Sequence, residues 1–126
     1  MNDLQTSAKK EKLLIIDWLI EHFPHAFFKK NHQIKPLQIG IFHDITTFYD
    51  GMENAPPFTK QALKEALGYY SSSPAYLTCQ KIDAARVDLY GNEVDTVNAD
   101  QAKYAYQRYQ QRYQKQAREP DKTSDS

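Results

Sequence analysis

The stretch TKQALKEALGYYSSSPAYL, residues 59–77, decides how this chain folds. Leu63, Ala66, Leu67 and Tyr70 recur at helical spacing, so a helix opening near Thr59 presents one apolar face to a core. Thr59 suits the N-cap, and Phe58 and Leu63 are placed for a hydrophobic staple around it. Lys60 and Lys64 lie one turn apart on the opposite face. Ser71-Ser72-Ser73-Pro74 then breaks the helix and starts another. Ser73 is a good N-cap, and Pro74 fits the first helical position, where its missing N–H costs nothing. This next helix is short, with an expected end near Gln80.

Upstream, Leu13, Ile16, Ile20 and Phe23 predict a helix from about Lys9 to His22, stopped by Phe23-Pro24. A second helix is expected to open at Pro36, with Leu37, Ile41, Ile45 and Phe48 as its stripe and Gly51 as a left-handed stop. ENAPPF, residues 53–58, reads as a loop. Downstream, Arg86-Val87-Asp88-Leu89-Tyr90 alternates as a half-buried strand does. Gly91-Asn92 signals a turn, and Glu93-Val94 starts a return strand. Asn98 and Gln101 form a capping-box pattern that opens a last helix, predicted to reach about Arg118. The fold class is therefore α+β, helix dominant, with about five helices and a small hairpin that must pack on them. One domain of residues 9–118 is expected, between polar tails at 1–8 and 119–126 read as disordered.

Composition bounds the function. The 126 residues hold 16 basic and 16 acidic side chains, which excludes nucleic-acid binding by net charge alone and leaves a local basic patch open. The single cysteine, Cys79, excludes a disulfide framework and a four-cysteine zinc site, and it reads as a small core residue. No apolar run approaches the roughly 18 residues of a membrane span, so a soluble, cytosolic protein is expected. His22, His25, His32 and His43 lack metal-ligand spacing, and the four glycines at 40, 51, 68 and 91 are too scattered for a phosphate loop. No catalytic constellation, cofactor or metal site is expected.

Anion binding is better supported. The helix start after Ser73 offers bare N–H groups and a favourable dipole. Lys60 and Lys64 precede it, Tyr76 sits about one turn inside, and Arg86 follows on the strand. The last helix has five basic residues and no acidic one between Lys103 and Arg118. Arg108, Arg112 and Lys115 follow a turn-by-turn stripe beside Tyr106, Tyr109 and Tyr113. Tyrosines on a core with arginines in water would explain this, and so would an RNA surface.

FPHAFF at 23–28, KPLQIGIFHDI at 35–45, TKQALKEALGYYSSSPAYL at 59–77 and ARVDLYGN at 85–92 together resemble the ProQ/FinO family of bacterial RNA chaperones. The resemblance spans roughly residues 10–117. It implies binding of small RNAs and mRNA 3′ ends, above all a terminator hairpin with its single-stranded tail. It further implies promotion of RNA–RNA pairing or strand exchange without ATP or cofactor, by a protein expected to be a cytoplasmic monomer. The family motif Tyr-x-Ser-Ser-x-x-Tyr-Leu falls on Tyr70, Ser72, Ser73, Tyr76 and Leu77, and its strand arginine on Arg86. Its basic positions fall on Lys35, Lys60 and Lys64. The chain departs from the pattern at Gln38, Gly68 and Ala75, where members often carry basic or polar residues, which implies fewer phosphate contacts.

Two other function classes compete. Basic stripes also suit a protein-interaction module with an acidic partner, and a helical domain can bind DNA. Major-groove readout favours Arg, Asn or Gln on the reading helix, whereas residues 60–71 offer lysines. Neither Tyr76 nor Arg86 lies on the main apolar stripes, so the fold is expected to survive loss of either.

Overall fold

A computed structural model describes residues 2–114. Five helices and one two-stranded antiparallel sheet follow in the order α1 (Asn2–His22), α2 (Ile41–Asp50), α3 (Lys60–Ser71), α4 (Pro74–Thr78), β1 (Ala85–Val87), β2 (Glu93–Thr96) and α5 (Ala99–Tyr109). A 3₁₀ turn at Asn31–Gln33 precedes α2, and a π turn at Gln110–Gln114 extends α5.

The core lies between α1 and α3. Ile15 and Leu19 of α1, with Phe23 just past its end, meet Leu63, Ala66 and Tyr70 of α3, and Phe27, Ile41 and Ile45 close the cluster. Trp18 joins it edge-on against Phe58, ring centroids 5.2 Å apart, and Phe23 packs on Phe48 at 4.9 Å. Edge-to-face pairs of this kind add about 0.5–1.5 kcal/mol beyond the area they bury. The predicted α1 stripe holds only in part: Phe23 is buried and Ile16 and Ile20 pack part-buried on the core, but Ile15 and Leu19 carry the buried face and Leu13 is 45% exposed. In a segment this rich in apolar residues, periodicity alone cannot choose between neighbouring stripes. The helix also begins at Asn2 rather than Lys9, since no proline or glycine interrupts residues 2–9.

Pro36 does not open a helix. Pro36 and Leu37 run extended beside β1: Val87 N–H donates to Pro36 O at 3.0 Å, and Gln38 N–H donates to Val87 O at 2.9 Å. The extended ladder buries Leu37, which a helix would have turned elsewhere. Helix α2 starts after Gly40, whose φ of +84° is a conformation glycine adopts without a Cβ penalty. Gly51 ends it at φ −83°, so the expected left-handed stop is absent there.

The α3 and α4 caps form as predicted. Ala62 N–H donates to Thr59 Oγ1, and Tyr76 N–H donates to Ser73 Oγ. The α5 capping box is complete, with Gln101 N–H on Asn98 Oδ1 and Asn98 N–H on Gln101 Oε1. The hairpin is shorter than expected. Asp88 accepts from the N–H groups of Tyr90 and Asn92, both at 2.9 Å, and turns the chain before Tyr90. Gly91 is required there: its φ is +85°, and a Cβ would lie 2.7 Å from His25 Cβ.

Candidate nucleic-acid interface

The junction of α3, α4, β1 and α5 encloses a groove of about 560 Å³. Ser71, Ser72 and Tyr76 form one wall; Gln101, Tyr104 and Arg108 of α5 form the other; Arg86 lies at its base.

Arg86 is 6% exposed. Its Nη1 donates to Leu37 O at 2.9 Å and its Nη2 to Gln101 Oε1 at 3.2 Å. Gln101 Oε1 also accepts Asn98 N–H, so the cap of α5 and the groove arginine share one acceptor. Arg86 Nε is buried without a partner. The guanidinium therefore ties the extended segment at Leu37 to α5. This corrects the expectation that the fold is indifferent to Arg86.

Tyr76 lines the groove, and its hydroxyl accepts Leu37 N–H at 3.0 Å. Burial raises its pKa, with the Leu37 N–H and the Arg86 charge working against that shift. Tyr70 belongs to the core, as its place on the apolar face of α3 predicts, and does not line the groove. It is buried, accepts Phe28 N–H through its hydroxyl, and is pushed up to about 12 by burial. Leu77 is buried and contributes apolar wall. Cys79 is half-buried rather than core; its Sγ donates to Tyr76 O, and burial pushes the thiol up to about 11.

The start of α4 offers less to an anion than its sequence suggested. Pro74 has no N–H, Tyr76 N–H is taken by Ser73 Oγ, and Leu77 N–H by Ser73 O. Ala75 N–H remains in that first turn. Ser73 Oγ is itself committed, donating to Tyr70 O at 2.8 Å.

The expected lysines stand apart from the groove. Lys60 Nζ is 2.7 Å from Asp50 Oδ1 and 5.9 Å from the Tyr49 ring centroid. Lys64 is exposed on α3. Lys35 lies 5.6 Å from the Phe28 ring centroid. At 1.5 Å per residue, Lys60 and Ser71 are about 17 Å apart along α3, roughly five base pairs of a duplex. Arg108 does line the groove, its Nη1 donating to Tyr104 Oη at 3.3 Å and its guanidinium 5.8 Å from that ring centroid. Arg112 does not join it, because the π turn intervenes; Lys115 lies outside the described residues. Sequence reasoning missed Gln101 and Tyr104. The N3 position of the capping box, one turn before Tyr104, is the signal that places both on one helix face.

Exposed Ile39, on the segment leading into α2, completes the groove. Among the described residues the site thus combines rings, two arginines and serine hydroxyls against one carboxylate, Asp100. Among the described residues no cluster could hold a metal ion, and no helix is long and apolar enough to cross a membrane.

The NMR solution structure of a ProQ homolog from Legionella pneumophila is similar at 68% identity and TM-score 0.72, covering 81% of this chain and 83% of that one. The crystal structure of a FinO-like RNA chaperone from Neisseria meningitidis MC58 shares the fold at TM-score 0.60, with 22% identity over 89% of this chain and 87% of that one. The model of the ProQ/FINO family matches residues 9–122, and on that match the chain belongs to this family.

Proposed function

We propose that this chain is a non-catalytic RNA chaperone. It binds structured small RNAs and mRNA 3′ ends through a stem-loop with a single-stranded 3′ tail, and it promotes RNA–RNA pairing or strand exchange. It acts as a cytoplasmic monomer without cofactor. The observation that carries the reading is the groove: Tyr76 and Tyr104 beside Arg86 and Arg108, next to the Ser71–Ser72 hydroxyls, with Asp100 as the one carboxylate among the described residues. Single-stranded RNA is held by such sites, in which rings stack on bases and cations meet phosphates. In this reading the last nucleotide sits over Ser72 and Tyr76, within reach of the Ala75 N–H. The stem lies along α3, where Lys64 and Lys60 meet its phosphates, and Lys35 adds a further contact.

A gel-shift panel tests the reading. It uses a hairpin RNA with a 3′ tail, the same hairpin blunt, the tailed hairpin ending in a 3′-phosphate, and duplex DNA. The tailed 3′-hydroxyl RNA is expected to bind most tightly. Equal binding of all three RNA ends removes the end-recognition part, and preference for DNA overturns the assignment. An annealing assay with two complementary RNAs reads out pairing; an unchanged rate removes the chaperone part.

A further inference from the structure

Ser72 has a second side. Behind the groove wall lies a separate depression of about 310 Å³, lined by Lys12 of α1, Gly68, Tyr69 and Ser72, and by Arg112 and Tyr113 of the π turn. Gly68 leaves it open, since a Cβ there would meet nothing within 4 Å. Lys12 Nζ lies 5.8 Å from the Tyr69 ring centroid, and the Arg112 guanidinium 5.9 Å from that of Tyr113. Among the described residues two cations thus face one carboxylate, Glu65, which already accepts from Gln61 Nε2 at 3.2 Å. Tyr69 is 41% exposed, so part of its ring is open to a ligand.

The π turn makes this site. In an unbroken α-helix Arg108 and Arg112 would share one face. Here Arg108 lines the groove, while Arg112 lines the depression across Ser72. Tyr113 Oη donates to Ser72 O at 2.8 Å and fixes the turn in place. π turns are often found at functional sites.

We propose that this depression is a second nucleotide subsite, taking the RNA nucleotide next to the one in the groove. Its phosphate lies between Lys12 and Arg112, and its base lies on Tyr69. The proposal rests on the RNA-binding reading of the groove.

The test measures affinity and salt dependence for two hairpin RNAs, one with a long 3′ tail and one with the tail trimmed to a stub that fills the groove alone. The proteins are wild type, the double variant Lys12→Gln/Arg112→Gln, and Tyr69→Ala. Thermal unfolding of each variant confirms that these surface changes leave the fold intact. The double variant is expected to bind the long-tailed RNA about tenfold more weakly, with a log–log salt slope flatter by about 0.7 per lost single-strand contact, and to bind the trimmed RNA as wild type does. Tyr69→Ala is expected to weaken long-tail binding severalfold with the slope unchanged. Equal losses on both RNAs, or none on either, overturn the subsite while leaving the groove standing. Failure of the wild type to bind either RNA overturns both.

Discussion

The two ends of α3 carry positive charge in opposite ways. At the start of the helix, Lys60 and Lys64 stand in solvent, one of them paired to Asp50. Past its end, beyond Ser71, Arg86 is buried, and two of its nitrogens are tied to Leu37 and Gln101. A solvated lysine can meet a phosphate wherever one passes, and it keeps its side-chain entropy until it does. A buried, forked arginine is held in one geometry before any ligand arrives, and the fold comes to depend on it. Under the proposed function, charge at the first end would set affinity and salt sensitivity; charge at the second also ties Leu37 to Gln101.

The largest effect that separates the two ends belongs to Arg86. Arg86→Ala is expected to lower unfolding stability by about 3 kcal/mol or more, because it empties a buried site and strands the Leu37 carbonyl. Arg86→Lys should recover part of this, since a point charge cannot reproduce the fork. Urea unfolding measures both; a wild-type midpoint for Arg86→Ala would put the two ends on the same footing.

Next come the lysines. Lys64→Gln should leave the unfolding midpoint unchanged while flattening the RNA salt slope by about one unit. Lys60→Gln should flatten it less, because Asp50 already competes for that ammonium, and Asp50→Asn should steepen it. If Lys60 and Lys64 behave alike and Asp50→Asn changes nothing, the Asp50 pair has no bearing on RNA binding.

The smallest effect lies in the hairpin that carries Arg86. A slight desolvation of the Asp88 carboxyl is outweighed by the N–H groups of Asn92 and Tyr90, which hold it below the usual carboxylate range. With its folded pKa depressed, Asp88 contributes stability that is present above the unfolded value near 4 and is lost as pH falls through the folded one. Asp88→Asn should therefore shrink the acid loss of stability below about pH 4 and leave lysine-dependent RNA binding at neutral pH untouched. Because Asp88 lies at the surface, the change is expected to be a fraction of the Arg86 effect; an identical acid profile in both proteins would show that the turn does not depend on its charge.

The features legible from residue order alone are those whose causes lie within a few positions. The caps at Thr59, Ser73 and Asn98, the α3–α4 break, the turn at Gly91 and the core face of α3 are each fixed by local hydrogen bonding, backbone sterics or helical period. The resemblance carried by residues 23–28, 35–45, 59–77 and 85–92 fixed the family for the same reason: it lies in short motifs at set separations. The remaining features depend on partners far apart in the chain. Pro36-Leu37 runs extended beside Val87 because the backbone hydrogen bonds there and the burial of Leu37 outweigh a local helix start. The Tyr70 hydroxyl found Phe28 N–H and the Tyr76 hydroxyl found Leu37 N–H, partners 42 and 39 residues away that the helical period does not announce. Arg86 became a structural tie through groups 49 and 15 residues away. The stripe Arg108–Arg112 was divided by a π turn whose tyrosine finds Ser72, 41 residues back. Periodicity reports which side of an element faces inward; it cannot report which distant backbone group will be waiting there.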